Sequence, residues 1–76
     1  MVKTSGKLSN QLHVYRAQRK WSQKEVAEKV GVSRQTIISI EANKYNPSII
    51  LCFKLANLFG VGIQDIFEFT EGDVEK

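Results

Sequence analysis

Apolar side chains recur at helical spacing through most of the chain, and capping residues and glycines fall where the repeats break. Leu12 and Tyr15, followed by Trp21, predict a first helix over residues 10–19 with Ser9 as its cap. Ser22-Gln23-Lys24-Glu25 then has the form of a capping box. In it the serine hydroxyl accepts from the amide of Glu25, and the Glu25 carboxylate accepts from the amide of Ser22. Trp21 precedes this cap, where an apolar residue can staple onto Val26. The second helix turns Val26, Ala27 and Val30 inward and ends at Gly31, a residue that enters the left-handed conformation at little cost.

Ser33 caps a third helix over residues 33–42. Ile37 and Ile40 form its inward stripe, while Arg34, Gln35, Ile38 and Ser39 lie on other faces. Asn43 is its expected stop, since asparagine tolerates the left-handed turn better than most residues. Asn46-Pro47-Ser48 marks a loop and a new cap. A fourth helix is expected over 49–59, with Leu51, Cys52, Leu55 and Leu58 buried and Gly60 closing it. A short fifth helix over 63–66 leads into Phe67-Glu68-Phe69-Thr70, where the period becomes alternating and predicts a short strand. The chain therefore divides into an N-terminal arm, 1–9, expected to be poorly ordered or weakly extended, a helical domain over 10–67, and an acidic strand or tail over 68–76.

Seventy-six residues permit one small domain. Small folds bury a smaller share of their surface, so self-association would help stability. No apolar run approaches the roughly 20 residues that span a bilayer, and the lysine-bearing N-terminus has no apolar stretch behind it, so a secretory signal is not expected. Cys52, the single cysteine, lies between Leu51 and Phe53. It reads as a buried thiol in a reducing compartment, which places the protein in the cytoplasm. Net charge is +3, and its distribution is uneven: residues 1–60 carry ten Lys and Arg against Glu25, Glu28 and Glu41, while residues 61–76 carry five acidic residues against Lys76. A basic body with an acidic end suits a polyanionic partner.

Two short helices around a glycine-containing turn form a helix-turn-helix. Ala27 lies four residues before Gly31, where a small side chain permits close crossing, and Val32 can plug the gap between the helices. Ile37 and Ile40 hold the following helix to the core and leave its opposite face free to enter a DNA major groove. The segment WSQKEVAEKVGVSRQTIISIEANKYNPS resembles the helix-turn-helix of lambda-repressor/Cro-like, or XRE-type, regulators. The resemblance runs from residue 10 to residue 67, and it implies an all-α, five-helix lambda-repressor-like fold with a short C-terminal β-strand.

By that resemblance Ser33, Arg34, Gln35, Thr36 and Ser39 face bases or adjacent phosphates, and Gln23, Asn43, Lys44 and Tyr45 meet the phosphodiester chain. The chemistry agrees: arginine can donate two bonds to guanine O6/N7, and glutamine can pair bidentately with adenine N6/N7. Arg16 and Glu41 match a structural ion pair. Some compact members of the family dimerise through the fifth helix and a terminal ribbon, which points to Ile63, Ile66, Phe67 and Phe69 as a dimer contact, the favoured reading; the alternative is that the aromatic pair covers the edge of the chain's own core. The sequence departs from the family pattern at Asn43, where glycine is commoner, at Gly62, where a serine cap is usual, and at Ile38 and Ile50, which are apolar where polar residues are common.

His13 has no second His or Cys at ligand spacing, so no metal is expected. No cofactor or small-molecule ligand is indicated, and the absence of paired acid/base residues and of a phosphate loop argues against an enzyme. The expected partners are double-stranded operator DNA and a second copy of the chain, acting together as a repressor. An antitoxin-type module that neutralises a partner protein is the alternative, because the same fold serves both uses.

Overall fold

The computed structural model describes residues 6–71. The first five residues of the expected N-terminal arm and residues 72–76 of the expected acidic tail lie outside the described residues. In chain order the elements are β1 (Gly6–Asn10), α1 (Leu12–Gln18), α2 (Gln23–Val30), α3 (Arg34–Glu41), α4 (Ile49–Phe59), α5 (Ile63–Ile66) and β2 (Phe67–Glu71).

The inward stripes of the helices meet in one core: Leu12 from α1, Val26, Ala27 and Val30 from α2, Ile37 and Ile40 from α3, Leu51, Cys52, Leu55, Ala56 and Phe59 from α4, and Ile66 from α5. Phe67, the first residue of β2, completes it. Leu58, expected inside, is half-buried. Trp21 and Tyr15 line the margin, with ring centroids 5.6 and 5.8 Å from that of Phe59. Truncating a fully buried aliphatic residue such as Leu55 or Ile37 to alanine costs about 2–5 kcal/mol.

Three of the four helix starts predicted from a serine are formed as expected. Ser22, Ser33 and Ser48 accept hydrogen bonds from the amides of Glu25, Thr36 and Leu51. Gly31 and Gly60 end α2 and α4 with φ of 78° and 70°, the left-handed region in which a glycine suffers no Cβ clash.

The N-terminus departs from expectation. Residues 6–10 form a strand antiparallel to β2, with Gly6 opposite Glu71, Leu8 opposite Phe69 and Asn10 opposite Phe67. Helix α1 consequently starts at Leu12, not at residue 10, and Ser9 is a strand residue instead of a cap. Two bonds explain the shift. The Gln11 amide donates to the Ile66 carbonyl at 2.7 Å, which prolongs the strand pairing, and the Asn10 carboxamide oxygen accepts from the Leu12 amide at 3.0 Å, which serves the first turn from two residues upstream. The short C-terminal strand expected from the alternating pattern is present and is one half of a two-stranded ribbon.

Candidate DNA interface

The helix-turn-helix is built from the capping box outward. Ser22 Oγ accepts from the Glu25 amide at 3.0 Å, and the Ser22 amide donates to Glu25 Oε1 at 2.7 Å. The turn closes where the Val32 amide donates to the Ala27 carbonyl at 2.9 Å. Ala27 is 2% exposed, so the small side chain sits at the crossing of α2 and α3. Helix α3 is pinned from behind by Ile37 and Ile40, at 0% and 1% exposure.

The outer side of α3 carries the residues expected to read DNA. Ser33, Arg34 and Gln35 are exposed, and Thr36 and Ser39 are half-buried. The Ser33 and Thr36 hydroxyls pair at 2.9 Å, and Gln35 Nε2 donates weakly to Ser39 Oγ at 3.5 Å. Arg34 has no carboxylate partner among the described residues, which leaves its guanidinium available to an external acceptor. It stands at the first position of α3, where unpaired amides and the helix dipole add positive potential.

Arg16 and Glu41 form the ion pair that was expected of them. Arg16 Nε donates to Glu41 Oε2 at 2.7 Å and Nη2 to Oε1 at 3.1 Å, while Nη1 donates to the Trp21 carbonyl at 3.1 Å. The hydrogen bonding of Arg16 to Glu41, outweighing the cost of burial, raises the arginine's pKa further above its ordinary value. Gln23 joins this node, its Nε2 donating to Glu41 Oε1 at 3.0 Å. The side chain expected at a phosphate thus has its amide nitrogen committed to α3, and its carboxamide oxygen accepts no hydrogen bond from another side chain among the described residues.

After α3 the chain turns at Asn43, whose φ is 60°. The Asn43 amide donates to the Ile40 carbonyl and the Lys44 amide to the Ser39 carbonyl, both at 2.9 Å, which is the paired pattern of a Schellman turn. Asn43, Lys44 and Tyr45 are all exposed on the loop that follows.

The residues expected at a dimer contact separate into two groups. Ile66 and Phe67 are 1% and 6% exposed within the chain itself, so they are core residues with little surface to offer a partner. Ile63 is half-buried, and Phe69, at the middle of the ribbon, is 64% exposed. Sequence reasoning had singled out Ile50 on α4. The structure shows Ile49, Ile50 and Phe53 exposed together, at 64%, 65% and 54%. The readable signal was that these three fall outside the inward stripe of Leu51, Cys52 and Leu55.

Among the described residues no group of three or more His, Cys, Asp and Glu is placed to hold a metal ion, and no helix is long and apolar enough to cross a membrane.

Comparison with known proteins agrees with this geometry. The helix-turn-helix family profile matches residues 12–66. A Methanocaldococcus jannaschii protein named an uncharacterized HTH-type transcriptional regulator is 50% identical over 66 residues, which cover 87% of this chain and 100% of the relative. A solved Bacteroides fragilis structure, described as a "putative DNA-binding protein", superposes with a TM-score of 0.72 at 28% identity, covering 80% of this chain and 98% of that one. Antitoxin HipB of Escherichia coli is a more distant match, 38% identical over 48 residues, which cover 63% of this chain and 51% of HipB. The chain belongs to the helix-turn-helix family, of the XRE type, and its fold is that of a DNA-binding transcription regulator.

Proposed function

We propose that the protein is a sequence-specific repressor that binds a palindromic operator as a homodimer in the cytoplasm. Helix α3 enters the major groove, and Ser33, Arg34, Gln35, Thr36 and Ser39 meet base edges or the phosphates beside them. Gln23, Asn43, Lys44 and Tyr45 orient the domain on the phosphodiester chain without choosing sequence. The observation that carries this reading is the two-sidedness of α3: its Ile37 and Ile40 side is fully buried, and its Arg34 and Gln35 side is fully outward.

Repression needs no added domain, since a bound dimer occludes a promoter by its presence. The dimer follows from reach. One recognition helix covers a few base pairs, whereas a two-fold pair reads half-sites about 34 Å apart. Selection of bound duplexes from a random pool tests the whole reading at once. Recovery of a two-fold motif is expected, together with loss of preference at one base pair per half-site in Arg34→Ala. A pool that stays random, or an Arg34→Ala profile identical to the unsubstituted one, would count against it.

The match to HipB supports a second reading, an antitoxin-type module. It requires a small partner protein bound at fixed stoichiometry, whose toxicity the chain suppresses; a chain that purifies alone and still selects an operator favours the repressor.

A further inference from the structure

The terminal ribbon and the recognition helix are joined through one side chain. Asn10 closes β1 opposite Phe67, and its carboxamide reaches three groups. Its Oδ1 accepts from the Leu12 amide at 3.0 Å, and its Nδ2 donates to the Ile40 carbonyl and to Asn43 Oδ1, both at 2.8 Å. The Leu12 amide can only donate and the Ile40 carbonyl can only accept, so the orientation of the Asn10 amide is fixed by its surroundings. The two donated bonds converge on the Schellman turn that ends α3, where the Ile40 carbonyl also receives the Asn43 amide.

We propose that Asn10 is a positioning residue for DNA recognition, which holds the turn at Asn43 so that Lys44 and Tyr45 are presented to the phosphodiester chain in a fixed pose. The proposal rests on the reading of residues 43–45 as the phosphate-contacting loop. Residues 43–46 are all exposed, and among the described residues no other side-chain hydrogen bond reaches them. A loop held only by its backbone must be ordered when DNA binds, and that ordering lowers affinity; a loop fixed beforehand avoids the cost. The choice of residue at position 43 fits this role. Glycine enters the left-handed turn more easily than asparagine, but it has no oxygen for Asn10 to bond. The link also ties the position of the ribbon to the end of α3.

Three variants test this on the duplex selected by the unsubstituted chain, with folding verified by circular dichroism and binding measured well below the melting midpoint. Asn10→Ser keeps an acceptor for Leu12, is too short to donate to the turn and adds no charge. Asn43→Gly keeps the left-handed turn and removes the acceptor. Ser9→Ala alters the ribbon without touching the loop. The first two are expected to bind about tenfold more weakly, a change equivalent to about 1.4 kcal/mol. Their salt dependence is expected to flatten by about 0.9 in log–log slope, the loss of one phosphate contact. Phosphate-ethylation interference should fade at the phosphates that Lys44→Ala also affects and persist elsewhere, and Ser9→Ala should match the unsubstituted chain.

Folded variants with unchanged affinity and slope overturn the proposal. So does a loss of affinity that leaves the slope and the interference pattern intact, because a merely weakened fold would give that result. If Asn10→Ser fails to fold, Asn43→Gly decides by the interference at the phosphates that Lys44→Ala also affects, since loss of a contact made by Asn43 alone would leave that interference intact. If Lys44→Ala itself leaves binding and slope unchanged, the phosphate-loop reading fails and the proposal falls with it; that outcome is distinguished by appearing without any change at Asn10 or Asn43.

Discussion

Among the described residues, Lys20 and Asn43 are the two other than glycine with positive φ, at 58° and 60°. Both follow a helix, and both close it with the same paired bonds: the Lys20 amide donates to Ala17 at 3.0 Å and the Trp21 amide to Arg16 at 3.1 Å. Their side chains set them apart. Lys20 is exposed and makes no side-chain hydrogen bond among the described residues, whereas Asn43 accepts from Asn10. An L-residue in this region is disfavoured by roughly 1–2 kcal/mol, and part of that is offset by the greater unfolded-state freedom of glycine. Lys20→Gly is therefore expected to stabilise the fold by about 1 kcal/mol, read as a rise of about 4–8 °C in melting midpoint. A fall on substitution would show that the lysine makes a contact outside this account. Cys52 illustrates the opposite kind of residue, one fixed by what surrounds it. Burial pushes its thiol pKa up, so the reactive thiolate is scarce at neutral pH. Native protein is expected to alkylate far more slowly than urea-unfolded protein. The raised value also means the folded state holds this proton more tightly than the unfolded one. The group's contribution to stability is thus full below the ordinary thiol range and declines as pH rises through that range toward the raised value. Denaturant titrations at neutral and alkaline pH, with Cys52→Ala as reference, measure this difference.

At the level of elements, α2 to α4 were readable because each carries its own start and stop: Ser22, Ser33 and Ser48 at the beginnings, Gly31, Asn43 and Gly60 at the ends. Strand β1 was readable only as a poorly ordered or weakly extended arm. GKLSN contains a single apolar residue and no alternation, so its strand character comes from pairing with β2, a non-local cause. For the same reason Asn10 looked like a helix residue. Its cap on Leu12 and its reach to Asn43 follow from where the ribbon places it, and no local pattern records that. The interface residues show a further limit of pattern: a period of two marks Phe67 and Phe69 as alike, yet one fills the core and the other stands free beyond it. Helix α5 was expected to start weakly, and Gly62 indeed supplies no side-chain cap, although Asp65 Oδ2 accepts from its amide at 2.9 Å. Gly62 is extended, with φ of −81° and ψ of 159°, and a Cβ there would press on the Gln64 carboxamide, a movable side-chain end. Gly62→Ser is expected to add about 0.5 kcal/mol through the missing cap, measured by chemical denaturation, and a loss would mean that Gln64 cannot yield. The Arg16–Glu41–Gln23 node ties α1, α2 and α3 together, with Arg16 and Glu41 side chains 22% and 10% exposed. Glu41→Gln leaves a half-buried guanidinium without its counter-charge and is expected to cost about 1–3 kcal/mol; a cost near zero would show the pair to be incidental.

For the molecule as a whole, the proposed homodimer requires a surface that joins two copies. Two exposed apolar surfaces compete, since such patches mark interaction sites. One lies on the ribbon at Phe69, directly across from the half-buried Leu8. The other is formed by Ile49, Ile50 and Phe53 on α4. The ribbon has two features that α4 lacks. β1 and β2 pair with each other along one edge only, so each retains an outer edge of unsatisfied backbone groups that a second ribbon can extend. Asn10 also couples the ribbon to the end of α3, so a contact made there would fix the spacing of two recognition helices. A substitution that tests this must spare the core. Phe67 is unsuitable, because a carboxylate at a 6%-exposed site would unfold the domain, whereas Phe69 is free to change. Phe69→Asp is expected to shift the protein to monomer in sedimentation equilibrium without lowering its melting midpoint beyond what the lost association explains, and to weaken binding to a two-fold operator far more than to an isolated half-site. Ile50→Asp, on the competing surface, is expected to remain dimeric. The reverse outcome, a surviving dimer in Phe69→Asp and a monomer in Ile50→Asp, would move the two-fold axis to α4 and leave the ribbon as a brace for the recognition helix alone.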